Sequence, residues 1–151
     1  MLNPFDLGSA LTARHAQHVV LVHFPIALFV VGVAFDLAAL WRNRRAFADA
    51  AYYNLTIAAA STIPVVITGI LAWQFQLEGQ ALKGILRLHL IFGLLSSLVI
   101  WTTWILHFLT RRKYAVLLPD RYRLALELAG LVLVSMTGHL GGFLSGVNGG
   151  P

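Results

Sequence analysis

Four apolar stretches, each long enough to cross a lipid bilayer, decide what this chain can fold into. A helical crossing takes roughly 20 residues. The stretches run Val19–Trp41, Tyr53–Phe75, Ile85–Leu109 and Tyr122–Phe143. Lipid supplies no hydrogen-bonding partner, so each stretch must satisfy its own backbone and is expected to be α-helix. The expected fold is all-α: an integral membrane four-helix up-down bundle, a single transmembrane domain over residues 1–151. The connections are short, which makes consecutive helices antiparallel neighbours. The chain is 58% hydrophobic and only 11% charged, where a soluble domain carries about 25% charged residues.

Charge orients the bundle. Arg42, Arg44, Arg45, Arg111, Arg112, Lys113, Arg121 and Arg123 cluster around the first and third loops, against Arg14, Lys83 and Arg87 on the other side. The positive-inside rule puts the richer side in the cytoplasm. Both termini and the second loop then face the periplasm, and the chain is expected to be a multi-pass protein of the bacterial inner membrane. The net charge of +5 comes from these edge clusters, so no nucleic-acid partner is expected. The N-terminal segment has one basic residue before a long apolar run, so it is expected to be retained and not cleaved as a signal peptide. The tail Ser145–Pro151 is expected to be flexible, and Pro25 and Pro64 are expected to bend their spans.

Intramembrane imidazoles are costly and mark functional sites. His23, His89 and His139 each fall about one turn inside the expected outer face, on three different helices. His15 and His18 precede the first span at the same face. His107 lies 18 residues after His89, roughly 27 Å along a helix, and belongs to the other end as a polar interface residue. In an up-down bundle the first and third helices are diagonal, so His23 and His89 are the first-choice pair to clamp a haem b, with His139, His18 and His15 as further ligands. Gly93 lies one turn past His89 and Gly142 one turn past His139, and small residues there let a porphyrin approach the backbone. Small residues also serve ordinary helix packing in membranes. With no cysteine in the chain, thiolate ligands, iron–sulfur clusters and covalent c-type haem are excluded. Asp36 and Glu127 are expected to join His107 and an arginine in a charge cluster at the inner boundary, with Arg123 and Glu127 spaced for an i,i+4 pair.

The stretch RHAQHVVLVHFPIAL, residues 14–28, resembles the opening signature of a bacterial membrane-protein family of unknown function. Its members typically read H-P-x-H-P and then V-H-F-P-I-A-L. The closing stretch TGHLGG, residues 137–142, resembles that family's last-helix motif. Ala16 and Val19 stand where prolines usually follow the first two histidines, and Phe143 where an acidic residue is common. Some members are fused to, or encoded beside, Rieske-type and cytochrome domains, so the resemblance implies a cytochrome-b-like role in electron transfer. The positions it carries over are His15, His18, His23, Pro25, His139, Gly141 and Gly142.

The leading expectation is a b-type cytochrome subunit with one or two haems near the outer face, an electron-transfer subunit more than a stand-alone enzyme. It would pass electrons between membrane quinol and a periplasmic redox partner. The expected partners are the lipid bilayer and a redox subunit or periplasmic cytochrome, with a quinone and a second copy of the chain as further candidates. His23, His89, His139 and His18 are equally the ligands of the competing use, a copper, zinc or iron carrier. The third reading is a structural membrane anchor.

Overall fold

The computed structural model describes residues 14–112 and 119–146, and all regular structure within them is helical. The helices are α1 Arg14–Leu21, α2 His23–Arg42, α3 Arg45–Gln76, α4 Gly84–Arg111 and α5 Asp120–Leu144. Four stretches are long and apolar enough to cross a membrane: Gln17–Arg42, Arg45–Phe75, Gly84–Arg111 and Asp120–Leu144. The expected all-α bundle with four spans is therefore the observed one. Lys113 of the basic edge and residues 147–151 of the tail lie outside the described residues.

Two features differ from the spans read from hydropathy. α3 begins eight residues earlier than Tyr53, because Arg45–Ala51 (RAFADAA) is rich in alanine and propagates a helix without needing to be buried in lipid. The first span is interrupted at Val22, between α1 and α2. Pro25 has no N–H, and its ring clashes with the carbonyl of Leu21 one turn back. Pro64, by contrast, sits inside an unbroken α3.

The helices pack as sequential antiparallel neighbours, and particular contacts set the register. Phe35 of α2 stacks on Phe47 of α3 at 6.2 Å. On the α3–α4 seam, the indole N–H groups of Trp101 and Trp104 donate to Thr62 Oγ1 at 2.9 Å and Thr56 Oγ1 at 3.0 Å. Ser96 of α4 bonds Thr137 of α5 at 2.9 Å. The core is narrow, comprising Phe29, Val33, Leu55, Ala58, Ala59, Ile100 and Val134. Large apolar residues such as Leu98, Val132, Ile63 and Ile67 lie on the outside, where a bilayer would cover them.

Between helices in lipid there is little hydrophobic gain, so association depends on close packing at small residues. Gly130 makes the tightest approach: a Cβ there would lie 2.6 Å from Phe29 Cζ and 2.9 Å from Val99 Cγ1. At Gly93 the nearest atom to an added Cβ is Thr137 Cγ2 at 3.7 Å, an ordinary contact. Gly130→Ala should therefore lower thermal stability in detergent by ~1–3 kcal/mol, the usual cost of overpacking a core. Gly93→Ala should leave it nearly unchanged. Equal losses in the two melting curves would contradict this account of the packing.

Candidate functional site

The end of the bundle that holds five histidines sorts them into unequal surroundings. His18 lies on α1 and reaches across to α3, its Nδ1 3.1 Å from the Val65 carbonyl oxygen and 3.3 Å from Thr68 Oγ1. His89 lies on α4 and reaches across to α5, its Nδ1 3.1 Å from the Thr137 carbonyl oxygen. A carbonyl oxygen only accepts, so in these bonds Nδ1 carries the proton and donates it. Nε2 of each neutral ring is then the nitrogen with the lone pair. The two rings lie next to one another, edge to face, with centroids 6.3 Å apart and planes at 86°.

Both rings rest against glycine. A Cβ on Gly69 of α3 would lie 2.9 Å from His18 Cε1, and one on Gly141 of α5 would lie 3.2 Å from His89 Cε1. A side chain at Gly69 would displace the His18 imidazole, and one at Gly141 would crowd that of His89. Gly69 carries no histidine on its own helix to draw attention to it. The available signal was its depth, with Thr68, opposite the start of the first span.

The remaining candidates take other places. His23 is exposed, and its Nδ1 is 2.7 Å from the Val19 carbonyl oxygen one turn back. It thus serves a backbone group beside the Pro25 interruption. With Phe24, Ala27 and Leu28 it lines an open apolar groove on α2. His139 is exposed, with its ring 5.0 Å from that of Phe143. The side chain of His15 lies outside the described residues. Gly93 sits at the α4–α5 contact beside Thr137. The carbonyl of Gly142 accepts a bond from Ser145 Oγ at 3.1 Å, close to the end of α5. The structure therefore brings together His18 and His89, while His23, the expected partner of His89, points its ring to its own helix.

At the opposite end, His107 is only 6% exposed and is no interface residue. Its Nε2 donates to Glu127 Oε1 at 2.8 Å and lies 4.0 Å from Asp36 Oδ1. Arg123 reaches Asp36 Oδ2 at 3.1 Å and Asp120 Oδ1 at 3.3 Å, and not Glu127 one turn along its helix. Helical spacing pointed to the Arg123–Glu127 pair, but the bundle offers each a partner from another helix. Nearby, Arg111 pairs with Asp49 and lies 4.5 Å over the ring of Tyr52, joining α4 to α3.

Removing one partner of a buried hydrogen bond leaves the other unsatisfied, typically at a cost of about 1–3 kcal/mol and more when that group is charged. His107→Ala should therefore destabilise the bundle by about that much, since it strands the fully buried Glu127 carboxylate. Adding Glu127→Gln to that variant should recover part of the loss, read as the melting temperature of the chelator-treated protein in detergent. Additive losses in the double variant would mean that the two side chains do not act as a pair.

No curated protein and no solved structure shows a significant match to the chain. A family model does, over residues 14–149, and its description is "Predicted membrane protein (DUF2231)". That match covers both histidine motifs and all four spans, and the chain belongs to this family of predicted membrane proteins.

Proposed function

We propose that the chain is the membrane subunit of a b-type cytochrome, holding haem b between His18 and His89 and carrying electrons between membrane quinol and a periplasmic partner. The observation that carries this reading is the neighbouring, near-perpendicular pair of imidazoles. Two imidazoles bound through Nε2 on opposite sides of one iron, with metal–nitrogen bonds of about 2 Å, have their ring centroids roughly 6 Å apart. The observed separation is 6.3 Å. Coordination also needs the ring held by its other nitrogen, and a backbone carbonyl on Nδ1 is a common device for this. Both histidines have one, each from a neighbouring helix.

Gly69 and Gly141 support the same reading, since each leaves an imidazole room against the backbone of the facing helix. Two axial histidines leave an iron no open position, which suits electron transfer and not oxygen chemistry. The apolar surroundings would hold the cofactor in a low dielectric and so tune its potential. The arginine-rich loops at the other end support a periplasmic side for this site, by the positive-inside rule. The groove lined by His23, Phe24, Ala27 and Leu28 offers a quinol an apolar approach on the lipid side.

The test is an optical spectrum of the detergent-solubilised protein, oxidised and dithionite-reduced, with pyridine haemochrome quantification. The expected result is a sharp reduced α-band and about one haem per chain. His18→Ala and His89→Ala should abolish the band, while His23→Ala should keep it. A folded protein that stays colourless after expression with ample haem would overturn the proposal. A colourless protein that instead retained copper or zinc on His18 and His89 would turn the site into a metal carrier's.

A further inference from the structure

Three helices bring one potential ligand each to a buried point at the arginine-rich end: Asp36 from α2, His107 from α4 and Glu127 from α5. One nitrogen or oxygen from each lies within 4.8 Å of the others, and all three residues are buried. We infer that these residues bind one divalent first-row transition-metal ion. The proposal does not rest on the haem reading, because none of its residues lies at the histidine-rich end.

Geometry is the first argument. Ligand atoms bound at about 2.0–2.2 Å around a four- to six-coordinate ion sit roughly 3–4 Å from one another. His107 Nε2 is already 2.8 Å from Glu127 Oε1 and 4.0 Å from Asp36 Oδ1. Side-chain rotation, without movement of the helices, opens the triangle for an ion. On binding, the His107 proton moves from Nε2 to Nδ1, so that the ring stays neutral and Nε2 offers its lone pair to the metal.

The second argument is unmet bonding. Glu127 is fully buried, yet its Oε2 has no hydrogen-bond partner among the described residues. Thr103 is also fully buried, with Oγ1 in the same condition. It lies one turn before His107, on the same face of α4. Leaving a buried carboxylate oxygen unbonded is costly. Ligation through both oxygens of Glu127 removes that cost, and Thr103 is placed to hydrogen-bond a ligand oxygen or a metal-bound water.

Charge gives the third. Asp36 and Glu127 bring two buried carboxylates to the cluster, and Arg123 one guanidinium, which also meets the solvent-exposed Asp120. With a neutral imidazole, the buried carboxylates carry one negative charge more than Arg123 offsets, and a bound cation supplies the missing positive charge. Uncompensated charge within a bilayer is expensive. One imidazole and two carboxylates, with no sulfur, suit manganese, iron or zinc. Calcium prefers six to eight oxygens.

The test uses the full chain in detergent, stripped with a chelator and equilibrated with Mn2+. Bound metal is measured by equilibrium dialysis, and its ligands by pulsed electron paramagnetic resonance. About one Mn2+ per chain should be retained, with hyperfine coupling to one imidazole nitrogen. Glu127→Gln and Asp36→Asn should each weaken binding roughly tenfold or more, while His18→Ala and His89→Ala should leave it unchanged. Circular dichroism confirms that each variant is folded. If Glu127→Gln fails to fold, the nitrogen coupling in the wild-type protein and the Asp36→Asn affinity decide the matter. The inference is overturned if the folded wild-type protein retains neither Mn2+ nor Zn2+ stoichiometrically. It is equally overturned if Mn2+ shows no nitrogen coupling, if the affinity survives Glu127→Gln or Asp36→Asn, or if it is lost with His18→Ala or His89→Ala.

Discussion

A backbone amide inside a bilayer has no water to bond, and each amide left unsatisfied there costs several kcal/mol. Everything else in this chain is arranged around that constraint. Its spans are helical, so their amides bond within the segment. Many hydroxyl groups bond locally as well, as Thr56, Thr68, Thr102 and Ser135 do to carbonyls four residues back. With polar groups so consumed, the helices have few adhesive contacts left. They associate instead where small residues admit a large neighbour, with Phe29 against Gly130 and Leu55 against Gly32.

The same constraint explains the histidines. Pro25 interrupts the first span at Val22, and the carbonyls around that interruption need donors. His23 supplies one, bonding the Val19 carbonyl of its own helix. The short α1 lies against α3, and His18 bonds there to the carbonyl of Val65, the residue after Pro64. His89 does the same for Thr137 on α5. An imidazole that donates to a neighbouring helix is fixed in direction, and two such rings meet across the bundle. An imidazole that donates to its own helix stays at the periphery.

Polar chemistry thus collects at both ends, separated by an apolar middle of Phe29, Val33, Leu55, Ile100 and Val134. The two ends differ in kind. The histidine-rich end presents imidazoles, three of them oriented by backbone carbonyls. The arginine-rich end presents buried carboxylates, a guanidinium and an imidazole drawn from three helices. Its buried charges meet partners on other helices, and Arg123 also meets Asp120 on its own.

Hydropathy and length determined the four spans, since burial in lipid demands long apolar helices whatever the details of packing. Residue counting along each span also determined which histidines share a depth, because the rise of a helix is fixed. That reasoning placed His89 and His107 at opposite ends and gathered Asp36, Glu127 and His107 at one boundary. It did not decide which rings meet. Depth is a property of one helix, whereas meeting depends on the rotation of two helices and on where one of them breaks. His18 is the instructive case: as a residue before the first span it read only as a further ligand at the outer face, and the packing of α1 on α3, beside Gly69, brings it to His89. Arg123 and Glu127 teach the same lesson. Their i,i+4 spacing was legible in the sequence, but partners for each arrive from other helices, and in a buried site the nearest complementary charge wins over the nearest in sequence.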